Sequence, residues 1–143
     1  MYRRPESVLI LVYTKEAEVL MLKRSKPFPC WQSVTGSLRD NETQEVAASR
    51  ELREETGLID EGVMTCNNIS RTFAIDSRWQ HKYKDHNETN IEYEFCYLLD
   101  NRLEIKLNSL EHTDYCWLPI DAAIKKVWSW TNKEALELLA SKL

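Results

Sequence analysis

Glycine, proline and cysteine are scarce in this chain of 143 residues: three, four and four respectively. With so few backbone breakers there is no collagen-like period, no proline-rich linker and no low-complexity tract, so no internal boundary divides the sequence. One domain spanning 1–143 is expected, long enough to bury roughly two-thirds of the surface its unfolded chain would expose. The cysteines, Cys30, Cys66, Cys96 and Cys116, form no CxxC pair, which excludes a zinc knuckle or a dithiol redox motif and leaves free, mostly buried thiols as the expectation. His81, His86 and His112 show no HxH or HxxxH spacing and are assigned no metal. Long apolar runs are also missing. Val8 to Tyr13 is too short to span a bilayer and no small-residue cleavage site follows it, so a soluble, cytoplasmic protein without a membrane partner is expected. Excess positive charge is missing too: the net charge of −4 argues against a polymeric nucleic acid as partner. Nothing in the sequence specifies an oligomeric state.

What is present reads as a mixed α/β pattern. Ser7 to Tyr13 is a nearly continuous branched run, a strand buried on both faces, with Glu18 to Arg24 as its partner. Pro27 and Pro29 make Ser25 to Ser33 a loop that leads into Val34-Thr35-Gly36. The clearest helix runs from about Thr43 to Thr56, with Thr43 as N-cap, Glu45 at the positive end of the dipole and Gly57 placed to end it in the left-handed conformation. Ile69 to Ile75, Arg78 to Tyr83 and Ile91 to Leu99 carry strand residues, and Tyr115 to Leu118 is a candidate last strand. Pro119 can open a short helix through Val127. Thr131-x-x-Glu134 has capping-box spacing before a C-terminal helix with Ala135, Leu136, Leu138 and Leu139. Irregular alternation of this kind favours a mixed sheet flanked by helices.

On the central helix, Glu51, Glu54 and Glu55 stand at i, i+3 and i+4, which places the three carboxylates on one face within about 6 Å of one another. A glutamate-rich helix face is often no more than a solvated surface. Here, however, Val46, Ala47, Ala48 and Leu52 offer an opposite face for packing, and Arg50, between Glu42 and Glu54, can bind carboxylates and offset their repulsion. Clustered oxygen ligands on a clamped helix suit a hard divalent cation.

Gly36, Glu42, Arg50-Glu51-Leu52, Glu54-Glu55 and Gly57-Leu58 together match every defined position, at the same offsets, of the Nudix box. By these residues the chain resembles the Nudix hydrolases. The resemblance implies an α/β/α sandwich with a mixed sheet and a loop-helix-loop motif, and the Mg²⁺-dependent hydrolysis of a diphosphate linkage, with Mn²⁺ a substitute for Mg²⁺. It implies that Glu51, Glu54 and Glu55 are the metal and catalytic carboxylates, that Glu42 and Arg50 support them, and that Gly36 contributes its backbone near the metal. Which glutamate acts as general base stays open.

Outside the box, Tyr2-Arg3-Arg4-Pro5, Trp31 to Ser37, Glu111 to Leu118 and Ser129-Trp130-Thr131-Asn132 are similar to a branch of the family that removes diphosphate from a pterin triphosphate on the route to folate and also attacks nucleoside triphosphates. That similarity implies Glu111 as a further metal ligand and Arg3, Arg24, Thr35, Phe73, Ala74, Ile75, Asp76 and Ser129 as substrate contacts. Trp79 or Trp31 offers a ring that can stack on a pterin or purine. The partner implied is a small triphosphate, pterin or nucleotide. Two alternatives remain: a pyrophosphatase for dATP or oxidised purine triphosphates, and a non-catalytic nucleotide-binding regulator of the same fold. Retention of all four box glutamates speaks against the second.

Overall fold

The apolar run read as a doubly buried strand becomes β1, Glu6–Thr14, at the centre of a computed structural model that describes residues 2–84 and 88–143. It is followed by β2 (Glu18–Arg24), β3 (Cys30–Gln32), β4 (Val34–Ser37), helix α1 (Gln44–Thr56), β5 (Val63–Ala74), β6 (Thr89–Leu99), β7 (Asp114–Pro119) and helices α2 (Ile120–Lys126) and α3 (Trp130–Ala140). β1 runs parallel to β6 from Glu6 opposite Ile91 to Thr14 opposite Leu99, while the other strand pairs are antiparallel, so the sheet is mixed. Along its other edge β1 meets β4 over Ser7–Ile10 and β2 at Tyr13.

Alternation along β1 decides the layers. Val8, Ile10 and Val12 pack with Ala47, Ala48 and Leu52 of α1. Leu9 and Leu11 point the other way, onto Ile120 and Ala123 of α2 and Ala135, Leu136 and Leu139 of α3. The result is the expected α/β/α sandwich. Among the described residues no helix is long and apolar enough to cross a membrane. Cys30 and Cys96 are buried free thiols, and Cys66 and Cys116 are partly exposed ones.

Four local expectations change. The stretch read as a loop between Ser25 and Ser33 contains β3, whose short ladder with β2 pairs Arg24 with Cys30. Arg78 to Tyr83 is not a strand: the Asp76 carboxylate accepts from the Arg78 backbone N–H, turning the chain away from the ladder, and Gln80–Lys82 forms one 3-10 turn. Helix α3 is capped by Ser129, whose hydroxyl accepts from the Asn132 N–H, so Thr131 lies inside the first turn and Glu134 reaches Arg71 at 2.9 Å instead of closing a capping box. Val46, assigned to the packing face of α1, is 57% exposed. Asp85, His86 and Asn87, among them a histidine assigned no metal role, lie outside the described residues.

Candidate active site

Helix α1 is pinned at both ends. The Thr43 hydroxyl accepts from the Val46 N–H, and Gly57, at φ 78°, donates to the Arg53 carbonyl. Ala47 and Ala48 are fully buried and let the helix approach β1 closely, which orients Arg50, Glu51 and Glu55 inward.

Arg50 ties the acidic face together. Its Nε donates to Glu42 at 2.7 Å and its Nη2 to Glu42 at 2.9 Å and to the Ser37 carbonyl at 3.0 Å. Nη1 donates to Glu51 at 2.8 Å and to Glu54 at 3.2 Å. The forked pairing with Glu42 holds that carboxyl well below the usual range, at about 2. Glu51 behaves in the opposite sense. Burial pushes it up to about 7, and the charges of Glu55 and Glu54 add to the rise, against the pull of Arg50. Gly36 is what allows Glu51 to sit there: a Cβ on Gly36 would coincide with the Glu51 carboxylate.

His112, assigned no metal on its spacing, is 3% exposed and its Nδ1 lies 2.6 Å from Glu55 Oε2. The two groups form a close imidazole–carboxylate contact, while His112 Nε2 is buried without a hydrogen-bond partner. No periodicity links positions so far apart in the chain, and only the packing of the loop before β7 against α1 brings them together.

These features bear on metal binding. Among the described residues no three side chains of His, Cys, Asp or Glu already form a metal cage. Mg²⁺ does not require one, since it binds through one or two carboxylates, waters and substrate phosphates. A desolvated Glu51 carboxylate crowded by the charges of Glu55 and Glu54 is a cluster of oxygen donors that a divalent cation would satisfy, so the donor set fits such an ion.

A cavity of about 900 Å³ opens over this face, within the range of small-molecule sites. It is lined by Gly36, Arg50, Glu51, Glu54 and Glu55, and it also reaches every site residue expected outside the box: Arg3, Arg24, Thr35, Phe73, Ala74, Ile75, Asp76, Glu111 and Ser129. Several are already engaged. Arg24 donates to Glu111 at 2.9 Å and lies 5.9 Å from the Trp79 ring centre. Thr35 donates to the Val8 carbonyl, Asp76 is paired with Arg78, and the Ser129 hydroxyl caps α3. Of the two tryptophans, Trp79 borders the cavity but stacks on Trp128 with centroids 5.3 Å apart, and Phe28 meets both rings edge-on. Trp31 is outside the cavity lining, with Lys23 and Lys126 against its ring.

Residues 3–139 match the family model described as the NUDIX domain. The chain is 37% identical over 140 residues to the dihydroneopterin triphosphate diphosphatase of Escherichia coli (strain K12), covering 95% of this chain and 92% of that one. It is 36% identical over 141 residues to the Haemophilus influenzae enzyme of the same name, covering 95% and 87%. A solved structure of the E. coli dihydroneopterin triphosphate pyrophosphohydrolase superimposes with a TM-score of 0.93 at 33% identity, over 100% of this chain and 99% of that one.

Proposed function

The chain belongs to the Nudix family and is a hydrolase of phosphorus-containing acid anhydrides, and from that premise we propose that it removes diphosphate from dihydroneopterin triphosphate, leaving the monophosphate. The observation that carries the substrate reading is the similarity to dihydroneopterin triphosphate diphosphatases along nearly the whole chain, in a fold where one cavity borders both the carboxylate helix and the candidate residues outside the box. We assign it to the cytoplasm, acting as one unit of 1–143.

The family works with divalent metal ions, and Mg²⁺ is the ion proposed here. Glu51, Glu54 and Glu55 would hold it, with the Gly36 backbone beside them and Glu111 joining from the loop before β7. Bound there, it supplies neutralisation of phosphate charge and a lowered pKa for water. The protein contributes the rest. Phosphoanhydrides resist attack because their anionic oxygens repel nucleophiles, so catalysis consists mainly of positioning and charge stabilisation. Arg50 fixes the direction of Glu51 and Glu54, and one carboxylate of the face accepts the proton of the attacking water. Arg3 and Arg24 offer forked donors to the phosphate chain. Arg24 is held by Glu111, so phosphate binding and release of Glu111 toward the metal face are linked in this reading.

Turnover is expected to stop in excess chelator and to return with Mg²⁺, with Mn²⁺ as a substitute; full activity in chelator would refute the metal assignment. The substrate is tested by kcat/KM for dihydroneopterin triphosphate against dATP, GTP and oxidised purine triphosphates, with products analysed in isotopically labelled water. A clear preference for dATP would support the nucleotide pyrophosphatase instead, and no turnover of any of them would support a binding module.

Glu111 provides a separate expected result. Glu111→Ala should lower kcat and raise the Mg²⁺ concentration for half-maximal rate by several-fold, with little change in melting temperature of the metal-free protein. The comparison variant is Glu134→Ala, whose partner is Arg71 and whose side chain is 58% exposed. That change should cost below about 1 kcal/mol of stability and leave the Mg²⁺ titration unmoved. A Glu111→Ala protein that titrates like the wild type would remove the residue from the site.

A further inference from the structure

On the wall of the cavity lies a buried carboxylate that the hydrolytic chemistry does not use. Glu92 is on β6, opposite Ser7 of β1 and Arg71 of β5. It is 7% exposed, borders the cavity, and its Oε1 has no hydrogen-bond partner. The cation opposite it in register spends its hydrogen bonds elsewhere: Arg71 donates to Glu94 at 2.6 Å and to Glu134 at 2.9 Å. Burial raises the carboxyl to about 7 and the neighbouring Glu94 adds to the rise, against a hydrogen bond from Thr131 in the first turn of α3 and the charge of Arg71.

Several other polar groups of this region are paired with one another. Asn90 donates to the Ser7 hydroxyl at 2.8 Å. Asn132 accepts from the Ser33 N–H at 2.8 Å and donates to the Ser33 hydroxyl at 3.0 Å. Glu92 Oε1 is thus a desolvated acceptor with capacity left over, on a strand far in the chain from the α1 carboxylates. A buried acceptor left without a donor is costly, and more so when it is charged. Thr131 of α3 and the charge of Arg71 on β5 offset part of that cost, and a ligand with donors in the cavity would supply the bond Oε1 lacks.

The ligand chemistry follows from the acceptor. A carboxylate presents two oxygens side by side and matches two adjacent N–H donors. In a pterin those donors are the ring N3–H and the 2-amino group. Adenine has no such pair, since its amino group is flanked by ring nitrogens that accept. The phosphate end of the same molecule would lie toward the α1 carboxylates and arginines that border the same cavity.

We propose that Glu92 is the specificity-determining residue for the heterocycle: it accepts hydrogen bonds from the N3–H and 2-amino group of the pterin and so favours that ring over adenine. This rests on the substrate reading above and adds the group that enforces it. The residue is remote in sequence from the Nudix box and takes no part in the chemistry at phosphorus.

The test compares kcat/KM for dihydroneopterin triphosphate and for ATP, with Mg²⁺, in the wild type and in Glu92→Gln, which keeps the shape but replaces one acceptor by a donor facing a donor. Glu92→Gln is expected to lower the pterin-to-ATP ratio at least about tenfold while ATP turnover stays within about threefold, the retained ATP activity showing that the variant is folded. A ratio unchanged by the substitution overturns the proposal. Should the variant fail to fold, the wild type decides alone: the lumazine counterpart of the substrate, with an oxo group in place of the 2-amino group, is expected to be at least about tenfold poorer, and equal turnover of the two overturns the proposal. If the wild type does not cleave dihydroneopterin triphosphate at all, the substrate reading falls and takes this inference with it. If the wild type cleaves it and Glu92→Gln discriminates no differently, only the inference falls.

Discussion

Glu51→Gln and Glu55→Gln are each expected to lower kcat by at least about a hundredfold while the protein stays folded, because each keeps the side-chain shape and removes a charge that the metal and the attacking water require. Glu51 carries a second, opposite expectation for stability. Its folded-state carboxyl is raised to about 7 from 4.5. A raised acid binds its proton more tightly in the folded state, so its favourable contribution is complete below pH 4.5 and disappears as pH climbs to about 7. In chelator at pH 8, Glu51→Gln should therefore be more stable than the wild type by on the order of 3 kcal/mol at most, roughly 5–10 °C in melting temperature. Thermal melts in chelator from pH 4 to 8 check this: the wild-type curve should fall across that window and the variant's curve should be flatter. A variant that loses activity and stability together at pH 8 would mean that Glu51 is a packing residue and not a strained ligand. Retention of more than a tenth of wild-type kcat would remove Glu51 or Glu55 from the catalytic set.

Arg50→Met should produce the largest loss of stability in the molecule. The arginine side chain is 8% exposed and answers Glu42, Glu51 and Glu54 at once, so its removal leaves several poorly solvated carboxylates without a cation. Breaking a buried charge pair from one side costs about 3–5 kcal/mol, roughly 10–15 °C for a domain of this size. The pH dependence should change as well, losing its stabilising component above pH 4.5. In the wild type Glu42 is held at about 2 by its bond to Arg50, so it stabilises the fold above pH 4.5 and that contribution fades as pH falls toward 2. Without Arg50 the crowded carboxylates favour protonation, and the variant should be most stable in acid and weaken as pH rises. Arg50→Lys, one ammonium in place of a fork, should recover only part of the loss. Melting temperatures for the three proteins from pH 3 to 8 decide it; a variant within 2–3 °C of wild type at pH 7, under about 1 kcal/mol, would show that the network is not what holds the acidic face together.

The sequence by itself determined whatever is carried by short-range order. Helix α1, its caps at Thr43 and Gly57, and the shared face of Glu51, Glu54 and Glu55 follow from a 3.6-residue period and from two residues whose backbone chemistry ends a helix. The doubly buried character of β1 follows from an unbroken apolar run. The Nudix box is legible for the same reason, since its members lie within one loop and one helix. Tertiary structure decided what depends on residues far apart in the chain. Arg78 to Tyr83 has strand-type residues, but an aspartate–arginine turn at Asp76 and Arg78 overrides their propensity. Thr131 and Glu134 have capping-box spacing, but Ser129 takes the cap, and Arg71, 63 positions away, draws Glu134 off. His112 against Glu55, Glu111 on Arg24 and the unpartnered Glu92 have no signature in the sequence, because their environments are assembled by strands and helices that meet only after folding. Periodicity reports which way a side chain points from its own backbone; what it meets there depends on which distant segment packs against it.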